Sequence, residues 1–114
     1  MTGPKITLTP DQGTWVVRAG GAILAESSNV IELLEGDYPA VIYFPRNDIA
    51  MDFLDNTDLQ TTCPYKGVAS YFSIIGKSNT IANAAWSYEN PDKGVNRIKN
   101  MLAFDIHKTT VEMV

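Results

Sequence analysis

The chain reads as an all-β domain, and three observations predict it. Short apolar segments with β-branched and aromatic residues recur along its length. Clusters of Gly, Pro, Asn and Asp separate them at short intervals. No stretch sustains the 3.6-residue periodicity of a long amphipathic helix. Short strands divided by turn signals predict an antiparallel sandwich or open barrel with one or two short helical turns.

Residues 1–12 mix Thr, Pro and Gly and are expected to form an irregular arm, leaving a core over about residues 14–114. Trp15-Val16-Val17-Arg18 and Ala22-Ile23-Leu24-Ala25-Glu26 read as paired strands, because Gly20-Gly21 between them suits a tight hairpin turn. Asn29 to Glu35 fits a short helix or a strand; its β-branched start and the Gly36-Asp37 stop favour strand. Ala40-Val41-Ile42-Tyr43-Phe44 is a strand ended by Pro45, and Pro45 to Asp48 reads as a turn or single helical turn, since Pro fits a first helical position. Met51-Asp52-Phe53-Leu54 alternates like a strand, and Asp55-Asn56-Thr57-Asp58 reads as a loop. Val68 to Ile75 and Ile81 to Tyr88 are strands joined by Gly76-Lys77-Ser78-Asn79. Pro91 to Gly94 is a turn, Val95 to Asn100 a short helix, and Leu102-Ala103-Phe104 and Thr109 to Glu112 close the sheet system.

At 114 residues, 45% of them hydrophobic and 19% charged, the chain is one domain able to bury a single core. Its formal net charge of -4 disfavours nucleic acid as a partner, because such proteins neutralise phosphates with a basic face. No apolar stretch approaches the roughly 20 residues that span a bilayer, so no membrane partner is expected. A single cysteine forms no internal disulfide, and with a single histidine it falls short of a four-ligand zinc set. Neither a metal nor another cofactor is therefore expected. The free thiol and the lack of a signal-like apolar run after Met1 point to the cytoplasm.

Four groups of residues carry chemistry. Cys63 lies in Thr61-Thr62-Cys63-Pro64-Tyr65-Lys66-Gly67 and is a candidate nucleophile if Lys66 favours its thiolate; the alternative is a small buried side chain beside a Pro-fixed turn. Arg46 and Lys66 each follow a proline-containing turn. They suit an anion site, or else they pair with Asp48, Glu26 or Glu35 to fix loops. The aromatics Tyr38, Tyr43, Tyr65, Tyr71, Trp86 and Tyr88 supply pocket walls or sheet core. Alternation puts Tyr71 and Phe72 on opposite faces and Trp86 and Tyr88 on one face. Among carboxylates, Glu26, Glu35 and Asp48 are acid-base candidates if held in a cleft, while His107 reads as an exposed turn residue.

Several segments, in order, resemble the family called domain of unknown function 427, also labelled nucleotidyltransferase. They are Ala19-Gly20-Gly21 with Ala25-Glu26-Ser27, Tyr43-Phe44-Pro45-Arg46-Asn47-Asp48, Thr62 to Gly67 with Ala69-Ser70-Tyr71, Ala84-Ala85-Trp86-Ser87-Tyr88, and Leu102-Ala103-Phe104. The resemblance implies a β-tent-like arrangement of two antiparallel sheets leaning over a cleft. Some proteins of that architecture hold zinc through paired CxxC motifs; this chain has neither pair. The label implies a Gly-Gly turn followed by two closely spaced carboxylates, of which Gly20-Gly21 and Glu26 are present. The reading that joins these observations is a domain binding a small anionic or polar-aromatic ligand in an inter-sheet cleft. Arg46 and Lys66 supply charge, Tyr43, Tyr65, Tyr71 and Trp86 supply contact surface, and Cys63 sits at the rim. The alternatives are an enzyme using the same pocket, with Cys63 or Glu26 as catalytic group, and a structural or protein-interaction module.

Overall fold

A computed structural model describes residues 4–114, and it is built almost wholly of antiparallel strands. Three sheets form where two were expected. The first is ordered β1-β4-β5, from Ile6–Pro10, Ile31–Glu35 and Val41–Tyr43. In the second, Thr110–Met113 (β10) and Ala22–Ser27 (β3) flank Trp15–Ala19 (β2). The third runs β6-β7-β8-β9 through Leu54–Cys63, Gly67–Ile75, Thr80–Tyr88 and Leu102–Phe104. Among the described residues no helix is long and apolar enough to cross a membrane.

The extra sheet exists because the expected N-terminal arm is ordered. Residues 1–3 of that arm lie outside the described residues, but Ile6–Pro10 pairs along its whole length with Glu35–Ile31. Ile6 and Leu8 alternate inward onto the core while Thr7 and Thr9 face solvent, a period-2 pattern that Pro4 and Pro10 disguise as irregular. As the sheet's edge strand, β1 accommodates its terminal proline.

Two further expectations are corrected between Met51 and Asp58. Met51–Phe53 is a 3-10 turn, not a strand: Met51 packs on the core and Phe53 is half exposed, so the two do not share a face. Asp55 to Asp58 is not a loop but part of β6, where Asp55 and Asn56 pair with Ser73 and Phe72. A register shift between Asn56 and Gln60 absorbs the next residues. Their polarity reflects an edge strand turned to water, a pattern a sequence shares with a loop. The expected helix near Val95 is a kinked 3-10 run over Lys93–Ile98 that buries Val95 and Ile98.

The other hairpins follow their turn chemistry. Gly20 and Gly21 both take positive φ, +57° and +79°, as the β2–β3 turn demands. The β6–β7 connection Cys63-Pro64-Tyr65-Lys66 closes with the Lys66 amide donating to the Cys63 carbonyl at 3.3 Å.

Strands β7, β8 and β9 of the third sheet pack on both faces, and strand alternation decides which side chain goes where. Phe72, Ile74, Ala85, Leu102 and Phe104 face the first core cluster, shared with Val17 and Leu24 of the second sheet. Ala69, Tyr71, Trp86, Tyr88 and Ala103 face a second cluster, shared with Leu33 and Tyr43 of the first sheet. A seam joins the first and third sheets: Phe44 and Leu102 exchange backbone hydrogen bonds of 2.8 and 3.0 Å.

Candidate functional site

The face carrying Tyr71, Trp86 and Tyr88 does not close fully against the first sheet. A cleft of about 290 Å³ remains. Leu33 and Glu35 of β4 and Val41 and Tyr43 of β5 form one wall; Tyr71 of β7 and Trp86 and Tyr88 of β8 form the other. Lys66 enters from the β6–β7 turn, Asp105 from the end of β9, and Tyr38 and Pro39 border the mouth. A wider chamber of about 610 Å³ adjoins it. Glu35, Tyr38, Pro39, Val41, Trp86 and Asp105 border both, while Trp15, Ile42, Phe104, Ile106 and Val111 give the wider part its apolar lining.

Polar groups in the narrow cleft are arranged by specific bonds. Lys66 Nζ lies 2.5 Å from Glu35 Oε1, and both side chains are shielded, at 12% and 15% exposure. The pair clamps the β6–β7 turn to the end of β4 across the two sheets. Trp86 donates its indole N–H to the Tyr43 hydroxyl at 3.2 Å. Burial pushes the phenol of Tyr43 well above its ordinary value, against the opposing effect of that bond, and burial likewise pushes up Tyr88. Both tyrosines are thus held as neutral hydroxyls. Tyr71 is tilted at 41° to Trp86 with ring centroids 6.4 Å apart, and its hydroxyl bonds Thr61 Oγ1 at 3.1 Å.

Seven of the residues singled out in the sequence therefore meet: Glu35, Tyr38, Tyr43, Lys66, Tyr71, Trp86 and Tyr88. Alternation separated Tyr71 from Phe72 and placed Trp86 with Tyr88, as expected. The others lie elsewhere. Arg46 is on the opposite face of the third sheet, 5.5 Å over the Phe72 ring. Its Nε donates to the Asn100 carbonyl at 2.6 Å, and its Nη2 to Glu89 at 2.8 Å and Ser87 Oγ at 3.3 Å. Its fork is spent joining the Arg46–Asp48 turn to β8 and the chain before β9.

Tyr65 is at the tip of the β6–β7 turn, 43% exposed and away from the cleft lining. Cys63 ends β6 half-buried against the second core cluster and does not line the cleft. Glu26 stands exposed on β3, in the second sheet, beside a shallow depression shared with Asp48. Asp48 in turn accepts from the Ser27 hydroxyl at 2.6 Å. Among the described residues no three His, Cys, Asp or Glu side chains are grouped to hold a metal ion. The two-carboxylate site implied by the nucleotidyltransferase label does not fit these residues. His107 lines the wider chamber, to which Cys63 does not contribute, and its backbone amide donates to Asp105 Oδ1 at 2.8 Å.

Sequence reasoning missed Leu33, Val41, Asn83 and Asp105 as lining residues. Leu33 and Val41 were legible as inward positions of strands. Asn83 carries no local signal: it sits at a β-bulge with φ of 50°, its amide bonded to Ser73 Oγ at 3.0 Å. The pairing of Lys66 with Glu35, one of the loop-fixing alternatives, is what the structure contains.

No curated protein matches the chain. The family model described as Domain of unknown function (DUF427) matches residues 7–114, nearly the whole length.

Proposed function

The chain belongs to the DUF427 family, and from that premise and the cleft we propose that it is a binding module for a small polar-aromatic molecule held between the first and third sheets. The observation that carries this reading is the convergence of Tyr43, Tyr71, Trp86 and Tyr88 from two sheets on one open space. Pockets of this kind, mostly apolar with a few fixed polar groups, are where small ligands are held. The ring faces offer stacking area, and the Tyr43 hydroxyl, Lys66, Glu35 and Asn83 offer oriented hydrogen bonds. Of the two ligand classes the sequence suggested, the polar-aromatic one is favoured. Lys66 already has a carboxylate partner and Arg46 is spent on the opposite face. The reading carries with it a β-tent-like relation of the two sheets; the Phe44–Leu102 seam and the walls drawn from both sheets support it.

An enzyme reading draws no comparable support, since Cys63 does not line the cleft and Glu26 is on another sheet. The test is a thermal-shift screen against nucleobases, nucleosides, aromatic acids, aromatic amines and sugar phosphates. A ligand at a hundred times its Kd stabilises by about 2.7 kcal/mol. Hits are expected among the flat aromatic compounds and are expected to weaken in Tyr38→Ala, a 71% exposed mouth residue whose loss leaves the core intact. A panel without shifts, or hits indifferent to Tyr38→Ala and Trp86→Ala, sinks the proposal.

A further inference from the structure

The geometry points to an organic ammonium ion with an apolar body as the class of ligand this cleft takes, an inference that rests on the binding-module reading and sharpens it. The narrow and wide chambers meet at Glu35, Tyr38, Trp86 and Asp105, so two carboxylates and two aromatic rings border the same junction. Glu32 adds a third carboxylate along the wider chamber. Lys66 is the lining ammonium group, and its charge is met by Glu35 at 2.5 Å. Among the described residues Asp105 and Glu32 take part in no ion pair. Lys108, three positions beyond Asp105, directs its Nζ instead to the Ala82 carbonyl at 2.8 Å.

The junction is thus negative on balance and bordered by the rings of Tyr38 and Trp86, and both features favour a cation. Ring quadrupoles attract an ammonium placed over the face, Trp most strongly, and a carboxylate beside it adds Coulomb attraction. An anion meets repulsion from the same groups. The body of the ligand has a matching destination, because Ile42, Phe104 and Val111 line the adjoining chamber of about 610 Å³.

Three probes with a common phenethyl body separate the possibilities: phenethyltrimethylammonium, 2-phenylethanol and phenylacetate, titrated by calorimetry against the full chain. The cation is expected to bind roughly tenfold tighter than the alcohol, with phenylacetate weakest. Asp105→Asn is expected to reduce the cation's affinity about threefold and leave the alcohol unchanged. Because Asp105 Oδ1 also caps the His107 amide, Glu32→Gln serves as the second variant, with an effect of the same direction. Equal or tighter binding of phenylacetate or the alcohol overturns the ammonium inference while leaving the binding module standing. Failure of all three probes, together with an empty thermal-shift screen, removes both.

Discussion

Removing the Lys66 charge tests whether the clamp across the cleft is structural. The ammonium and the Glu35 carboxylate are 2.5 Å apart, 12% and 15% exposed. At an effective dielectric near 20 the direct attraction at that separation is about 7 kcal/mol, most of it offset by the cost of taking two charges out of water. The pair as a whole is therefore close to neutral against an apolar replacement. Breaking it on one side is different, because the surviving charge keeps its desolvation cost without its partner. Lys66→Met is expected to destabilise the fold by about 3 kcal/mol, the low end of the range for buried pairs, since both groups retain some water. Glu35→Leu alone is expected to cost a similar amount, and the double variant to recover at least half of the summed loss, a coupling of about 3 kcal/mol or more. Urea unfolding followed by tryptophan fluorescence reads these differences from the midpoints at constant slope. Single variants within about 0.5 kcal/mol of the parent would show a solvated pair that fixes nothing. Additive losses in the double variant would refute the coupling argument.

Alkaline pH gives a second check. The phenols of Tyr43 and Tyr88 are raised above their ordinary value of 10.0, chiefly by burial, so above that pH the folded chain retains protons that the unfolded chain releases. Their contribution is fully present below about pH 10 and is lost as pH rises beyond it, by up to about 1.4 kcal/mol per pH unit for each tyrosine. Urea midpoints measured from neutral to strongly alkaline pH should fall above pH 10, less steeply in Tyr43→Phe; a flat profile contradicts the burial argument. At the β2–β3 turn, a Cβ added to Gly21 meets nothing within 4 Å, so only its φ of +79° opposes a side chain. Gly21→Ala is expected to cost about 1 kcal/mol and Gly21→Asn less, and an unchanged urea midpoint for the alanine variant would rule out the left-handed turn.

Much of the sheet framework was legible because its determinants are local. Gly20-Gly21 permits the left-handed turn that a tight hairpin needs, and the runs Val41-Ile42-Tyr43 and Val68 to Ile75 form strands. The period-2 geometry of a strand then separates Tyr71 from Phe72 and keeps Trp86 with Tyr88. The misreadings came where one composition serves two structures. Asp55-Asn56-Thr57-Asp58 is as polar as a loop because β6 is an edge strand, and Ile6-Thr7-Leu8-Thr9-Pro10 looks irregular until β4 lies beside it.

By itself, then, the chain determined an all-β fold of short antiparallel strands and the faces on which its aromatic residues stand. Only the tertiary structure decided what its charges do. Arg46 and Lys66 occupy similar proline-containing turns, yet one meets Glu89, 43 positions away, on one face, and the other meets Glu35, 31 positions away, in the cleft. Turn and strand preferences act between neighbours along the chain, whereas an ion pair needs two side chains brought within a few ångströms through space. That proximity is a property of how three sheets pack, and no local pattern encodes it.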